Sequence, residues 1–280
     1  MAVIDFILNL AGLLLWLQAR SIRFDPLVQS SAMSLAGTLR RAEPYRWKWW
    51  HFIIALAALL LVRAFLYCQI GSAVNWTPSL RLGAIAIPFR SDFFGRMLLF
   101  SCLSFGLTLA VFYLWLLFLS LVNGATAHSD PIQRLVRLHL GWCDRWPWPL
   151  KLVSPLIAAV LLWLVLGLLL ARWKIIPPAA SITHRLEQGI VLGLGAYLTW
   201  KYIIGVVLAL FLLSSYVYFG NYPAWNFIAL TGRRLLFPLQ WLPLRIGKVD
   251  FTPIILIALA FVAAEFAERA LTLLYQRLPF

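Results

Sequence analysis

The chain has 280 residues, of which 62% are hydrophobic and only 12% are charged, with a mean hydropathy of +0.86. Soluble domains carry about 25% charged residues, so an ordinary soluble enzyme, a disordered tail protein and a disulfide-stapled miniprotein are excluded. The composition indicates an all-α, polytopic membrane protein. The net charge is +14, from 24 Lys+Arg against 10 Asp+Glu. The bases sit between apolar runs rather than along one polar face, so positive-inside topology accounts for them and no nucleic-acid partner is expected.

Six apolar runs follow in chain order, predicting about six transmembrane helices. The first covers residues 2–17. It lacks a basic leader and a small-residue cleavage site, so a retained helix is expected, either spanning with tilt or lying in the interface. The second runs over 50–70 with Arg63 inside it, and the third over 97–122 without a charge. The fourth, 152–171, is stopped by Arg172 and Lys174. The fifth, 189–219, contains Lys201 and must tilt, kink or overrun the bilayer. The sixth, 251–264, continues into a polar turn with Glu265, Glu268 and Arg269.

The linkers 18–49, 123–151 and 220–250 hold 14 of the 24 basic residues, and the opposite side holds eight. This bias puts the odd-numbered linkers in the cytoplasm and both termini outside. If the first run is only interfacial, the N-terminus lies inside instead.

An internal repeat links the last two-thirds of the chain. Pro131 matches Pro223, and Ser154-Pro155 matches Thr252-Pro253, with the second copy six residues longer between these points. Each unit reads as a helix, a Pro-led amphipathic linker, a [Ser/Thr]-Pro pair and a second helix. Proline is tolerated in the first helical turn, and Ser or Thr before it is a natural N-cap. Pro155 and Pro253 are therefore expected to open spans four and six. The linker stretches 132–143 and 224–237 mix Arg with Leu, Val and Phe, as short helices in the headgroup plane do. Asp25-Pro26 aligns with Asp130-Pro131 and marks a degenerate third copy.

Tyr222-Pro223, Arg233-Arg234-Leu235-Leu236-Phe237-Pro238, Gly247 and Asp250-Phe251-Thr252-Pro253 together resemble the signature of the YggT family. Lys248 stands where that family often has Gly, and Thr252 where Ser is usual. The earlier copy keeps Asp130-Pro131 and Ser154-Pro155 but lacks the Gly-x-Asp element. The resemblance implies tandem helix pairs over 97–174 and 189–275, with 1–96 as an added two-helix region. It also implies a multi-pass protein of the bacterial inner (plasma) membrane. Bacterial members of the family are linked to osmotic tolerance and envelope organisation, and plastid relatives to haem attachment. The resemblance brings no catalytic motif.

Several residues are candidate sites. Asp250 is expected to cap the turn before span six, with cation or Arg binding as the alternative. Gly247 belongs to the same turn. Arg63 and Lys201 are the charges well inside spans, where an ionisable group is a functional candidate by default. Glu265 and Glu268 are the expected partners, and a Lys201–Glu265 pair is geometrically allowed. Arg40, Arg41, Trp47, Lys48 and Trp49 form a basic aromatic girdle, and Arg145, Trp146 and Trp148 form a second one, as for anionic lipid at the cytoplasmic leaflet. His51 and His139 are the histidines that a haem reading would use, although interface positions are expected for both. Cys68, Cys102 and Cys143 show no metal-ligand spacing, and no cofactor is expected.

No nucleophile elbow, phosphate loop or metalloprotease helix occurs in the sequence. The expected role is therefore a non-catalytic membrane scaffold, assembly factor or complex subunit, with lipids and other membrane proteins or itself as partners. The alternatives are a small channel or transporter linked to osmotic tolerance, and a haem or cytochrome assembly factor.

Overall fold

The computed structural model describes residues 2–24, 48–74, 76–83, 85–124, 131–177, 181–217, 222–237, 245–246 and 249–277. Arg40, Arg41, Trp47, Gly247 and the Asp25-Pro26 element lie outside them. The described chain is predominantly α-helical, and five of its helical stretches are long and apolar enough to cross a membrane. Those five support a multi-pass membrane protein. The chain divides into two compact units, residues 1–80 with 88–110, and residues 81–87 with 111–280.

The first unit is built on α1 (Ala2–Phe24), α2 (Trp49–Val74) and the opening part of α3 (Phe94–Asn123). α1 extends a full two turns past the predicted first run, and its apolar stretch Val3–Ile22 is long enough to span. α1 and α2 run antiparallel: Asp5 lies beside Arg63, and Gly12 lies beside Leu56. A side chain at Gly12 would stand 3.0 Å from the Phe105 ring, so glycine permits the close approach that small residues give membrane helices. Ala64, Phe89, Met97 and Ser101 are fully enclosed.

Between α2 and α3 lies a feature absent from the sequence reading, a short hairpin of β1 (Ser79–Leu82) and β2 (Ile85–Pro88). Gly83 turns it with φ +57°, a conformation that disfavours any residue carrying a Cβ.

The second unit holds α4 (Pro131–Leu140), α5 (Trp148–Arg172), α6 (Ile182–Tyr197), α7 (Trp200–Tyr216), α8 (Pro223–Leu236) and α9 (Thr252–Arg277), with a 3-10 turn over Gly141–Arg145. α4 and α8 are the amphipathic linker helices. Each opens on a proline, Pro131 or Pro223, as a residue with no N–H to satisfy can, and the two helices touch each other. β3 (Arg245–Ile246) and β4 (Val249–Asp250) pair antiparallel just before α9, with Asp250 opposite Arg245.

α5 and α6 form a close antiparallel pair. Gly189 faces Val160, and a side chain at Gly193 would stand 2.8 Å from Leu156. The hydroxyl of Tyr197 donates to the Leu152 carbonyl. α7 runs antiparallel to α9, with Gly205 against Phe261. The predicted fifth span is thus two helices within one 35-residue apolar stretch, Ile182–Tyr216. The break falls at Leu198 and Thr199, where the backbone tightens to i→i+3 bonds: Leu198 N–H to Gly195 O at 3.1 Å and Thr199 N–H to Ala196 O at 3.2 Å.

Pro155 corrects the sequence reading. It lies well inside α5, which opens instead at Trp148 after Pro147. A proline there removes the N–H that would bond the carbonyl four residues back. Ser154 does not cap the helix. Its hydroxyl donates to that carbonyl, Lys151 O, at 3.2 Å and so replaces the missing donor. Pro253 does open its helix, in the first turn of α9, and is buried. α9 is not among the five because Glu265, Glu268 and Arg269 interrupt its apolar window.

Candidate functional site

The deepest polar site of the first unit is built around Arg63. Asp5 and Asn9 are four residues apart and share one face of α1. Arg63 and Tyr67 do the same on α2, and Ser104 comes from α3. The Arg63 side chain is 1% exposed, and its Nη2 donates to Asp5 at 2.8 Å and to Ser104 at 2.9 Å. Its Nη1 donates to Asn9 at 2.6 Å, while the Asn9 amide donates to Ser104 at 3.0 Å. The Tyr67 hydroxyl donates to Asp5. The guanidinium carbon also lies 5.3 Å from the Tyr67 ring centre and 5.7 Å from that of Phe100, within cation–π range. Asp5 sits in the first turn of α1, where the helix dipole favours a negative charge. The result is one buried cation matched to one carboxylate, with two neutral acceptors on its terminal nitrogens and its buried Nε without a hydrogen-bond partner.

Three further polar clusters lie in the second unit. Lys201 on α7 meets Glu268 on α9 at 3.4 Å, while Glu265 pairs with Arg269 one turn on at 3.2 Å. Of the two acids expected for Lys201, the geometry therefore selects Glu268, because Glu265 is held by its own helix. The Arg63 expectation is likewise corrected, since its acid is Asp5 of α1.

The second cluster joins α3, α4, the 3-10 turn and α5. Lys151 Nζ donates to Ser120 at 2.8 Å and lies 3.8 Å from Asp144. Ser120 donates to Asp144 at 2.6 Å, and Arg137 reaches the same carboxylate at 3.4 Å. The third fixes α8 to the end of α3. Thr231 and Asn123 exchange hydrogen bonds, and Arg234 donates to the Asn123 carbonyl.

Lys48 and Trp49 are exposed beside α2. Arg145 and Trp148 are exposed and Trp146 is half-buried where the 3-10 turn meets α5. His51 stacks on Trp50, whereas His139 is buried beside Phe112, with Nδ1 2.9 Å from the Leu135 carbonyl. His139 is therefore covered by protein rather than exposed. Among the described residues, no group of three or more His, Cys, Asp or Glu is arranged to hold a metal ion. The three cysteines are free.

Sequence reasoning missed Asp5, Asn9, Ser104, Asp144 and Ser120. A usable signal existed for the first two: an acid and an amide at i and i+4 inside an apolar helix want a polar partner at the same depth. Nothing local announces the serines. No family model, curated protein or solved structure matches the chain.

Proposed function

We propose that the chain is a non-catalytic component of a bacterial inner membrane, acting as a scaffold, assembly factor or subunit of a larger membrane complex. On this reading it has six spans, α9 being the last, and is a diverged YggT-like tandem of helix pairs. The two Pro-led amphipathic helices, α4 and α8, the Gly247 and Asp250 positions before α9 and Pro253 in its first turn support that kinship.

The observation that carries the functional reading is how the deep charges are used. A solute path needs polar groups left open to it, built at matched positions in broken helices. Arg63 is consumed by Asp5, Asn9 and Ser104, and Lys201 by Glu268. Such pairs hold helices together and fix their register. Much of the apolar surface of α2, α5 and α9 stays exposed for lipid or for other membrane proteins. Arg145, Trp146 and Trp148 supply a basic aromatic edge suited to anionic headgroups.

The test is purification from native membranes at endogenous expression, with quantitative mass spectrometry. The reading expects at least one membrane protein retained in fixed proportion to the chain. A chain that purifies without any such partner contradicts it.

A further inference from the structure

Among the described residues, α9 presents an unpartnered face with a regular spacing. Ile255, Leu259, Val262, Phe266, Arg269 and Leu273 follow one another at alternating steps of four and three residues. That is the 3.5-residue period of a helix seam that packs against another helix. All six are exposed, with Phe266 at 67% and the Arg269 side chain at 70%. The opposite side of α9 is already occupied: Phe261 packs on Gly205, Ala264 is buried and Glu268 holds Lys201.

An apolar stripe alone would suit lipid. This one carries Arg269 within it and Glu265, 56% exposed, at its edge. Charges inside a bilayer almost always face a protein interior or a water-filled cavity rather than lipid. Glu265 lies 13 residues past Thr252, or about 20 Å along the helix, which is short of the roughly 30 Å hydrocarbon thickness.

We propose that this face of α9 is an interface between two copies of the chain, related by a two-fold axis along the membrane normal. The inference rests on the reading of α9 as the sixth span. A two-fold contact is self-complementary, and this face carries both signs one turn apart. In a parallel pair, Phe266 of one copy enters a hole cornered by Val262, Glu265, Phe266 and Arg269 of the other. Glu265 of each copy then reaches Arg269 of its partner, so the four charges close on one another and leave the lipid.

The test uses the full chain in native membranes, with Cys68, Cys102 and Cys143 changed to Ala and Val262→Cys or Phe266→Cys introduced singly. Mild copper oxidation is expected to give a disulfide-linked dimer of this chain. Adding Glu265→Arg or Arg269→Glu lowers the cross-linked fraction about fivefold or more, and combining the two restores it. A thiol at 266 that yields no dimer overturns the proposal. If that thiol also reacts with a membrane-impermeant maleimide, the sixth-span reading falls with it. If it is shielded from the maleimide, only the self-association falls. Cross-linking to a different protein also overturns the self-interface.

Discussion

Arg63 and Asp5 stand 58 residues apart in the chain and 2.8 Å apart in space, with the arginine 1% exposed. This contact ties α1 to α2, with the guanidinium enclosed by protein and the Asp5 side chain 24% exposed. Asp5, Asn9 and Gly12 together give α1 three specific contacts along one face.

Breaking that pair from one side is predicted to be costly. Asp5→Ala leaves the guanidinium buried and unmatched, at about 3–5 kcal/mol. Combining Asp5→Ala with Arg63→Met recovers most of that loss, because no charge is left behind. Thermal unfolding of the wild type, the two single variants and the double variant in one detergent gives the coupling. Equal destabilisation in the single Asp5 variant and the double variant would contradict the pairing.

Ser154 is predicted to matter only while Pro155 is present. Ser154→Ala removes the donor to the Lys151 carbonyl and costs about 1 kcal/mol. In a Pro155→Ala background the backbone N–H returns, and the same change becomes nearly neutral. The cycle is read by the same unfolding measurement.

Two helical glycines are predicted to respond with opposite sign. A Cβ at Gly232 of α8 would stand 2.6 Å from Cγ of Phe211, at the root of a ring that cannot swing aside cheaply. Gly232→Ala should therefore destabilise by about 1–3 kcal/mol. Gly106 of α3 has nothing within 4 Å of its virtual Cβ, so Gly106→Ala should be neutral or stabilise by up to about 1 kcal/mol.

The helices of this fold are legible in the sequence because burial in lipid imposes long apolar runs. The linker helices α4 and α8 are legible because Pro131 and Pro223 mark their starts and Arg is spaced among Leu and Val. What stays hidden depends on contacts between distant residues. The Asp5–Arg63 pair needs the α1–α2 hairpin before it exists. Ser154-Pro155 is misleading for a physical reason, since the same dipeptide that caps a helix start also repairs a helix interior. The break at Leu198–Thr199 carries no proline. It coincides instead with tertiary bonds, from Trp115 Nε1 to the Thr199 carbonyl and from Tyr197 to Leu152.

The central claim is that the deep charges are consumed in holding helices together and line no path. Ion flux into proteoliposomes carrying the purified chain tests it most directly, with wild type compared against Arg63→Met and Lys201→Met. The account predicts proton, potassium and chloride leaks equal to those of protein-free vesicles for all three proteins. A protein-dependent flux in wild type that vanishes when either Arg63 or Lys201 is neutralised would contradict it.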